Sequence, residues 1–408
     1  MKSLRNLFDK MKPTFSKGGK LGAFHSAFDA VETLFFVPNE VTKVGSHIRD
    51  SIDMKRTMTV VIIALFPALL FGMWNTGYQH FLSIGQESTL SQNFWYGFLK
   101  MLPLIVVSYA VGLTIEIAFA QSRKHEVNEG FFVSGMLIPL IMPIDVPLWM
   151  LALATAFAVI IGKEVFGGTG MNIFNPALLA RAFVFFAYPS HMSGDKVWVA
   201  DLAKGEGIID GFSGATPLAI ANTGVGESAK AMTFDTFMDK LPSANDMFMG
   251  FIPGSIGETS TIAILIGAVI LIYTGIASWK IMVSGVIGVL ATGLLLNCLA
   301  PDPTGGNPNY YMMLPAYYHL LMGGFAFGIV FMATDPVTAA QTETGKWIYG
   351  LLIGVMVVLI RVFNPAYPEG TMLIILFGNL MAPLIDYYVV DGNIKRRLKR
   401  VKRVATKP

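Results

Sequence analysis

The chain has 408 residues, of which 53% are hydrophobic and 14% are charged. Soluble domains carry about 25% charged residues, so this composition excludes an ordinary soluble protein and predicts an integral membrane protein. The net charge of +3 gives no indication of a nucleic-acid partner. The single cysteine, Cys298, excludes a disulfide within the chain and a four-cysteine iron–sulfur cluster held by this chain alone. The six histidines include no pair at metal-ligand spacing, so any redox cofactor is expected to be organic.

Ten apolar runs are long enough to cross, or nearly cross, a hydrocarbon core of about 30 Å. They lie at about 58–75, 101–120, 131–144, 147–162, 174–189, 259–277, 281–300, 318–334, 347–362 and 370–388. The runs around Pro139, Pro143 and Pro147, and the fifth run, are short and are expected to be broken or re-entrant. The sequence therefore predicts an all-α polytopic membrane protein with about ten transmembrane helices.

Lysine and arginine occur on alternate connections, which predicts the orientation of the chain. Basic residues adjoin the runs at Lys55, Arg56, Arg123, Lys124, Lys163, Lys280, Lys346 and in the tail 395–407. The connections 76–94 and 301–317 contain neither residue type. With ten spans, all the basic connections share one side with both termini, and that side is expected to be cytoplasmic. Residues 1–56 have no apolar stretch behind the first lysines, so no signal peptide is predicted.

Two motifs recur at equivalent places in the two halves of the chain. Phe174-Asn-Pro-Ala177 recurs as Phe363-Asn-Pro-Ala366. Gly135 precedes Pro143 by eight residues, as Gly328 precedes Pro336, and similar residues lie before each glycine. Each half has five runs, an odd number, so the second half is expected to be inverted, as in many transporters.

The predicted organisation has five parts. They are a cytoplasmic N-terminal segment 1–56, a five-helix repeat 57–189, an extracytoplasmic segment 190–258, a second five-helix repeat 259–388 and a basic cytoplasmic tail 389–408.

The extracytoplasmic segment contains a threonine with small neighbours, in Ser213-Gly214-Ala215-Thr216, followed by Pro217. The small neighbours leave the hydroxyl uncrowded, which suits enzymatic modification or close approach of a phosphate. A tight turn is the simpler interpretation of these residues alone.

A glycine-rich stretch, 167–170, leads into a predicted helix start near the basic side. Asn175 is a plausible N-cap with Pro176 at the first helical position, and Asn172 lies just before it. Arg181 lies inside the following apolar run, where it must be paired or must face a cavity. The stretch is either a ligand site or the capped end of a broken helix.

Acidic side chains at membrane depth are the third signal. Glu116 lies in the second run and Asp386 in the tenth, each nearer the basic side. Such acids are candidates for a cation or proton path, with a structural ion pair as the alternative. Glu164 and Asp335 are weaker candidates near the interface.

Several strings resemble one protein family. Ser213-Gly-Ala-Thr216 is similar to the motif on which FMN is attached to threonine by a phosphoester in respiratory flavoproteins. Five further strings carry the resemblance: 123–132, 163–170, 252–258, 360–370 and 393–397. The family comprises the NqrB subunits of the Na⁺-translocating NADH:quinone oxidoreductases and, as the nearest relatives, the RnfD subunits of the Rnf ferredoxin:NAD⁺ complexes. The resemblance extends from about Lys43 to Arg397.

The resemblance implies a membrane subunit of a redox-driven Na⁺ pump in the bacterial inner membrane. The pump would be a six-subunit NADH:ubiquinone reductase that includes an NADH-oxidising subunit and a second subunit with covalent FMN. Electrons would pass from these partners to FMN on Thr216, then to noncovalent riboflavin and to ubiquinone.

By position, the resemblance assigns riboflavin to Asn172 and Asn175, and the quinone region to Gly112. Glu116 and Asp386 are the implied candidates for coupling to Na⁺ and quinone. The family pattern has two consecutive glycines where this chain has Gly112 followed by Leu113, and this departure would narrow a quinone pocket.

Two alternatives remain at this stage. One is the Rnf-type subunit, which works with ferredoxin and NAD⁺ and lacks the quinone role. The other is an inverted-repeat solute channel or transporter, which the repeat and the broken helices alone would favour. A covalent flavin on Thr216 would exclude the channel, because a channel has no need of one.

Overall fold

The structure is a computed structural model that describes residues 2–15, 28, 32, 36, 42–48, 54–123, 130–205, 207–301, 308–364 and 369–405. Within these ranges the regular secondary structure is helical. The predicted N-terminal segment 1–56 therefore lies largely outside the described residues.

The α-helices are numbered here in chain order. They are α1 (Lys2–Phe15), α2 (Met54–Ser83), α3 (Leu90–Arg123), α4 (Phe131–Ile141), α5 (Leu148–Val159), α6 (Pro176–Ala187), α7 (Pro217–Asn222), α8 (Glu227–Lys230), α9 (Phe234–Lys240), α10 (Ala244–Met249), α11 (Thr261–Tyr273), α12 (Trp279–Leu299), α13 (Tyr310–Met313), α14 (Tyr318–Leu321), α15 (Phe325–Phe327), α16 (Glu343–Phe363) and α17 (Thr371–Ala405). Two π-helical turns, Ile160–Glu164 and Gly328–Met332, extend α5 and α15.

All ten predicted apolar runs contain helix, which confirms the predicted fold class. Five helices are long and apolar enough to cross a membrane: α2, α3, α12, α16 and α17. The other five runs form shorter or interrupted helices.

The third run is broken, as its prolines predicted. α4 has 11 residues, about 17 Å of helix, roughly half the thickness of a hydrocarbon core. It ends at the extended residue Met142 (φ −88°, ψ 155°), and the helix resumes only after Pro147. Residues 142–144 are buried, so this irregular backbone lies inside the protein, as it must at membrane depth.

The eighth run, 318–334, is also broken, which its sequence did not predict. Gly323 has a positive φ of 59°, a conformation that glycine adopts readily, and it separates α14 from α15. The guanidinium of Arg361 donates hydrogen bonds to the carbonyl oxygens of His319 (2.6 Å) and Met322 (2.9 Å). These bonds satisfy backbone groups that the break removes from a helical ladder.

The two halves have opposite directions, which confirms the inverted repeat. α2 starts at Thr57, which lines a cavity with Lys163, and this end of the bundle is called the Lys163 end. It finishes at the opposite end, called the Thr216 end, where Ser83 accepts a hydrogen bond from the backbone N–H of Ile209. α11, the first helix of the second half, starts at the Thr216 end and finishes near Leu271, which lines the cavity at the Lys163 end.

Equivalent helices also pack in equivalent ways. α3 packs on α5 as α12 packs on α16, and α5 packs on α6 as α16 packs on α17. The halves meet where α2 contacts α11 and where α6 contacts α17. The repeated Asn-Pro-Ala motif departs from this symmetry. Asn175 caps the start of α6, whereas Asn364 follows the end of α16, and Pro365 and Ala366 lie outside the described residues.

Candidate functional site

A cavity of about 350 Å³ lies at the Thr216 end. It is lined by residues of α6, the segment 192–198, α7, the segment 252–259, Gly323 and Glu369. Because these parts come from both halves and from the outer segment, no single stretch of sequence predicts the cavity.

Thr216 lines this cavity as the N-cap of α7. Its Oγ1 accepts a hydrogen bond from the backbone N–H of Ala219 (3.2 Å), and Pro217 occupies the first helical position. A Cβ on Gly214 would lie 2.5 Å from the carbonyl oxygen of Asp195, so glycine is required for this close approach. Ser213 is exposed, and its hydroxyl accepts a hydrogen bond from the backbone N–H of Ala215 (3.3 Å). The motif is thus a turn and a helix cap that presents Thr216 to a cavity.

Arg181 lies at the floor of the same cavity and is paired, as its position in an apolar run predicted. Its guanidinium donates to the carbonyl oxygen of Ile141 (2.8 Å), at the end of α4, and forms an ion pair with Glu369. It also lies over the ring of Trp198, 5.6 Å from the ring centroid.

Two acids beside Arg181, Glu258 and Glu369, were missed by the sequence reasoning. Their carboxylate oxygens lie 2.9 Å and 2.5 Å from the point where a Cβ on Gly324 would stand. Both residues belong to strings that carried the family resemblance. An acid at the edge of an apolar run was the signal that could have identified each of them.

Asp201 fastens the outer segment to the membrane helices. Its carboxylate accepts hydrogen bonds from Tyr96 (2.5 Å) and Lys100 (2.8 Å) of α3 and pairs with Lys204 (2.6 Å). Partial burial raises the pKa of Asp201, but the bonds from Lys100, Lys204 and Tyr96 outweigh it and hold the pKa well below its usual value. The carboxylate is therefore charged at neutral pH and keeps residues 195–204 against Gly214.

A smaller cavity, of about 80 Å³, lies at the Lys163 end and contains the predicted asparagines. Asn175 caps α6, since its Oδ1 accepts from the backbone N–H groups of Ala177 (3.0 Å) and Leu178 (3.4 Å), which confirms the predicted helix start. Its Nδ2 donates to Asp335 (3.4 Å), and the Nδ2 of Asn172 donates to the carbonyl oxygen of Phe174 (3.0 Å).

The size of this cavity decides what it accommodates. Pockets for drug-sized ligands are typically about 300–1,000 Å³. At about 80 Å³, the cavity at the Lys163 end does not accommodate a flavin ring in this conformation. Riboflavin at Asn172 and Asn175 therefore stays a prediction, and no step is derived through it.

Glu116 forms a buried ion pair with Lys163, beside this cavity. Each side chain is 4% exposed, and the Oε2 of Glu116 has no hydrogen-bond partner among the described residues. A second pair, Arg123 with Glu164 (3.0 Å), joins the same two segments. The sequence reasoning used Lys163 only to assign orientation, since the two partners are 47 positions apart.

Asp386 has a different environment from Glu116. Its carboxylate accepts from the backbone N–H of Gln341 (2.7 Å), and from the backbone N–H (3.0 Å) and hydroxyl (2.5 Å) of Thr342. Thr342 is the N-cap of α16, so Asp386 stabilises the start of that helix. Asp386 lines neither cavity, and the structure does not bring it together with Glu116.

Gly112 lies one turn before Glu116 and allows a ring to pack against α3. A Cβ on Gly112 would lie 1.9 Å from the ring of Phe131 in α4. The structure thus gives Gly112 a packing role, and Leu113 beside it is half-buried.

The model of the family described as NQR2, RnfD, RnfE matches residues 41–395 of the chain. This chain belongs to that family. The match contains every candidate residue from Gly112 to Asp386.

Three relatives have similar length, and each is named as the NqrB subunit of a Na(+)-translocating NADH-quinone reductase. The protein from Ectopseudomonas mendocina is 49% identical, with 97% of this chain and 99% of that protein aligned. The protein from Chromohalobacter salexigens is 48% identical over 97% of this chain and 96% of that protein. The protein from Stutzerimonas stutzeri is 48% identical over 97% and 99%.

Gly112→Ala in this NQR2-family chain is expected to destabilise the packing of α3 on α4, because the added methyl group overlaps the ring of Phe131. The expected loss in the free energy of unfolding is about 1–3 kcal/mol. The thermal unfolding midpoint in detergent would measure it. Adding Phe131→Leu should restore part of the loss, and Gly392→Ala, whose Cβ meets nothing within 4 Å, is the control. A Gly112→Ala protein as stable as the original would contradict this account.

Proposed function

We propose that this chain is the membrane subunit of a redox-driven Na⁺ pump, a Na⁺-translocating NADH:ubiquinone reductase, and that it carries electrons through FMN bound covalently to Thr216. The observation that carries the proposal is the position of Thr216 on the wall of a 350 Å³ cavity with an aromatic ring and buried charges. The shared name of the relatives supports the same pump.

The cavity fits the proposed FMN. Its volume lies within the range of ligand pockets, and the threonine hydroxyl that would carry the phosphoester lines it. Trp198 offers a ring beside the Arg181 guanidinium. FMN would supply reversible electron transfer, while this chain holds it at a set distance and in a set electrostatic environment.

The remaining parts of the proposal concern the Lys163 end. The resemblance assigns riboflavin to Asn172 and Asn175 and a quinone region to Gly112. Redox centres at opposite ends of one bundle would let electrons cross the membrane within this subunit. Added negative charge in a low-dielectric region raises the affinity for a nearby cation, which would couple Na⁺ uptake to electron transfer near Glu116. Asp386 is the second candidate for this coupling, besides its capping contacts.

The proposed setting is the bacterial inner membrane, with both termini in the cytoplasm. The Thr216 end then faces outward. Partner subunits that oxidise NADH and carry the second covalent FMN would complete the electron path.

The deciding experiment is in-gel flavin fluorescence of the denatured protein, with peptide mass spectrometry of the fragment that contains Thr216. We expect a fluorescent band and the mass increment of FMN on Thr216, both lost in Thr216→Ala. Thr223→Ala is the matched control, because Thr223 lines the same cavity outside the motif and should leave the flavin in place.

An unmodified Thr216, in protein from cells that contain the flavin transferase, would contradict the proposal. The inverted-repeat channel or transporter would then be the better account. If Thr216 carries FMN, reduction of ubiquinone by NADH in the purified complex separates this pump from an Rnf-type complex that uses ferredoxin.

A further inference from the structure

The floor of the cavity at the Thr216 end contains a buried acid that is only half satisfied. Glu258 is 7% exposed and lines the cavity. Its Oε1 accepts a hydrogen bond from the backbone N–H of Ser255 (3.0 Å), while its Oε2 has no partner among the described residues. The neighbouring Glu369 differs, because Arg181 and the backbone N–H of Gly324 (3.2 Å) satisfy it.

The next residue has an unpaired hydroxyl. Thr259 is 2% exposed, lines the same cavity, and its Oγ1 has no hydrogen-bond partner in the described part of the chain. A buried polar group without a partner costs about 1–3 kcal/mol. Two such groups side by side on a cavity wall therefore favour a ligand that offers both a donor and an acceptor.

The isoalloxazine ring has this pattern on its pyrimidine edge, where one N–H lies between two carbonyl groups. A carboxylate oxygen accepts from an N–H, and a threonine hydroxyl donates to a carbonyl. We propose that Glu258 and Thr259 are the positioning residues for this edge of the flavin on Thr216, with Glu258 accepting from the N–H and Thr259 donating to a carbonyl. This inference rests on the proposed function, since it needs the flavin at Thr216.

The two side chains have opposite effects on the electron affinity of the flavin. The negative charge of Glu258 disfavours the added electron, so Glu258→Gln should raise the midpoint potential. The hydroxyl of Thr259 stabilises charge on a reduced ring carbonyl, so Thr259→Val should lower it. A tenfold change in the relative affinity for oxidised and one-electron-reduced flavin corresponds to about 59 mV.

The experiment is a redox titration of the flavin on Thr216, followed by absorbance in the purified complex. We expect shifts of about tenfold in relative affinity and of opposite sign in the two variants. Asp239→Asn, which removes an exposed charge in α9, is the control and should leave the potential unchanged. A role in folding alone would not produce shifts of opposite sign.

A stability measurement gives a second readout that does not depend on electron transfer. Glu258→Gln should lower the thermal unfolding midpoint of the flavin-bearing protein. In a Thr216→Ala background it should leave the midpoint unchanged or raise it, because no flavin satisfies the carboxylate there.

The outcomes separate this inference from the proposed function. A flavin-bearing protein with unchanged potentials, and equal stability effects in both backgrounds, would mean that water satisfies Glu258 and Thr259 and would overturn the inference alone. Absence of flavin from Thr216 in the unaltered protein would overturn the proposed function and the inference with it.

Discussion

Replacing Glu116 by alanine is expected to lower the free energy of unfolding by about 3–5 kcal/mol, because it leaves the ammonium of Lys163 buried without its counter-charge. Both side chains are 4% exposed, so water cannot replace the lost partner. Lys163 lies in the π-helical turn that ends α5, and its pair with Glu116 joins that turn to α3. Losing the pair should therefore loosen the Lys163 end of the first repeat.

Removing both charges together should cost much less. In Glu116→Leu/Lys163→Met, side chains of similar volume fill the space and no charge remains buried, a change that is often neutral in other proteins. Unfolding in detergent, followed by helical circular dichroism, would measure each variant. The control is Glu343→Ala, since Glu343 is 66% exposed and surface ion pairs contribute little. A Glu116→Ala protein as stable as the unaltered one would show that the pair is not formed.

The double variant also separates structure from ion coupling. If it folds and assembles but its quinone reduction no longer depends on Na⁺, Glu116 has a role beyond its ion pair. An unchanged Na⁺ dependence would count heavily against the proposed coupling role of Glu116.

Arg361→Leu is expected to cause a loss of about 2–6 kcal/mol, since it leaves two buried carbonyl oxygens, of His319 and Met322, without donors at about 1–3 kcal/mol each. Arg361 is fully buried in α16, and it also donates to the hydroxyl of Thr371 (3.3 Å) at the start of α17. It thus joins the break in the eighth run to two neighbouring helices. Leucine fills part of the volume but supplies no donor.

Arg361→Lys should be intermediate, because lysine keeps the charge but cannot reproduce the planar fork that reaches several acceptors. Thermal unfolding would rank the three proteins, and limited proteolysis at residues 321–325 would report whether the break has loosened. Arg396→Leu, which alters an exposed arginine near the end of α17, is the control. Equal stability of the leucine variant and the unaltered protein would mean that the break does not need Arg361.

Some features of this chain were predictable because they are local. The ten apolar runs follow from the transfer of each segment into lipid, which depends on that segment alone. The cap at Asn175 with Pro176 behind it follows from the chemistry of one helix start. The inverted repeat follows from an odd number of runs and two recurring motifs, and the opposite directions of α2 and α11 confirm it.

Other features depend on which helices meet. Asp386 was predicted to act with Glu116, yet in the bundle it caps α16 while Glu116 pairs with Lys163. The break near Gly323 was not predicted, because the arginine that satisfies it lies in another helix. Glu258, Glu369 and Arg181 come together at one cavity floor only after both halves have packed.

The sequence by itself therefore determined the membrane setting, the helical class, the repeat, the family resemblance and the threonine that presents a hydroxyl. The tertiary structure alone decided the partner of each buried charge, the cavity in front of Thr216 and the small volume beside Asn172 and Asn175. The physical reason is the range of the interactions. Hydrophobic transfer and helix capping act within a few residues, whereas a buried charge or an unpaired carboxylate oxygen depends on groups that distant segments bring within hydrogen-bonding distance.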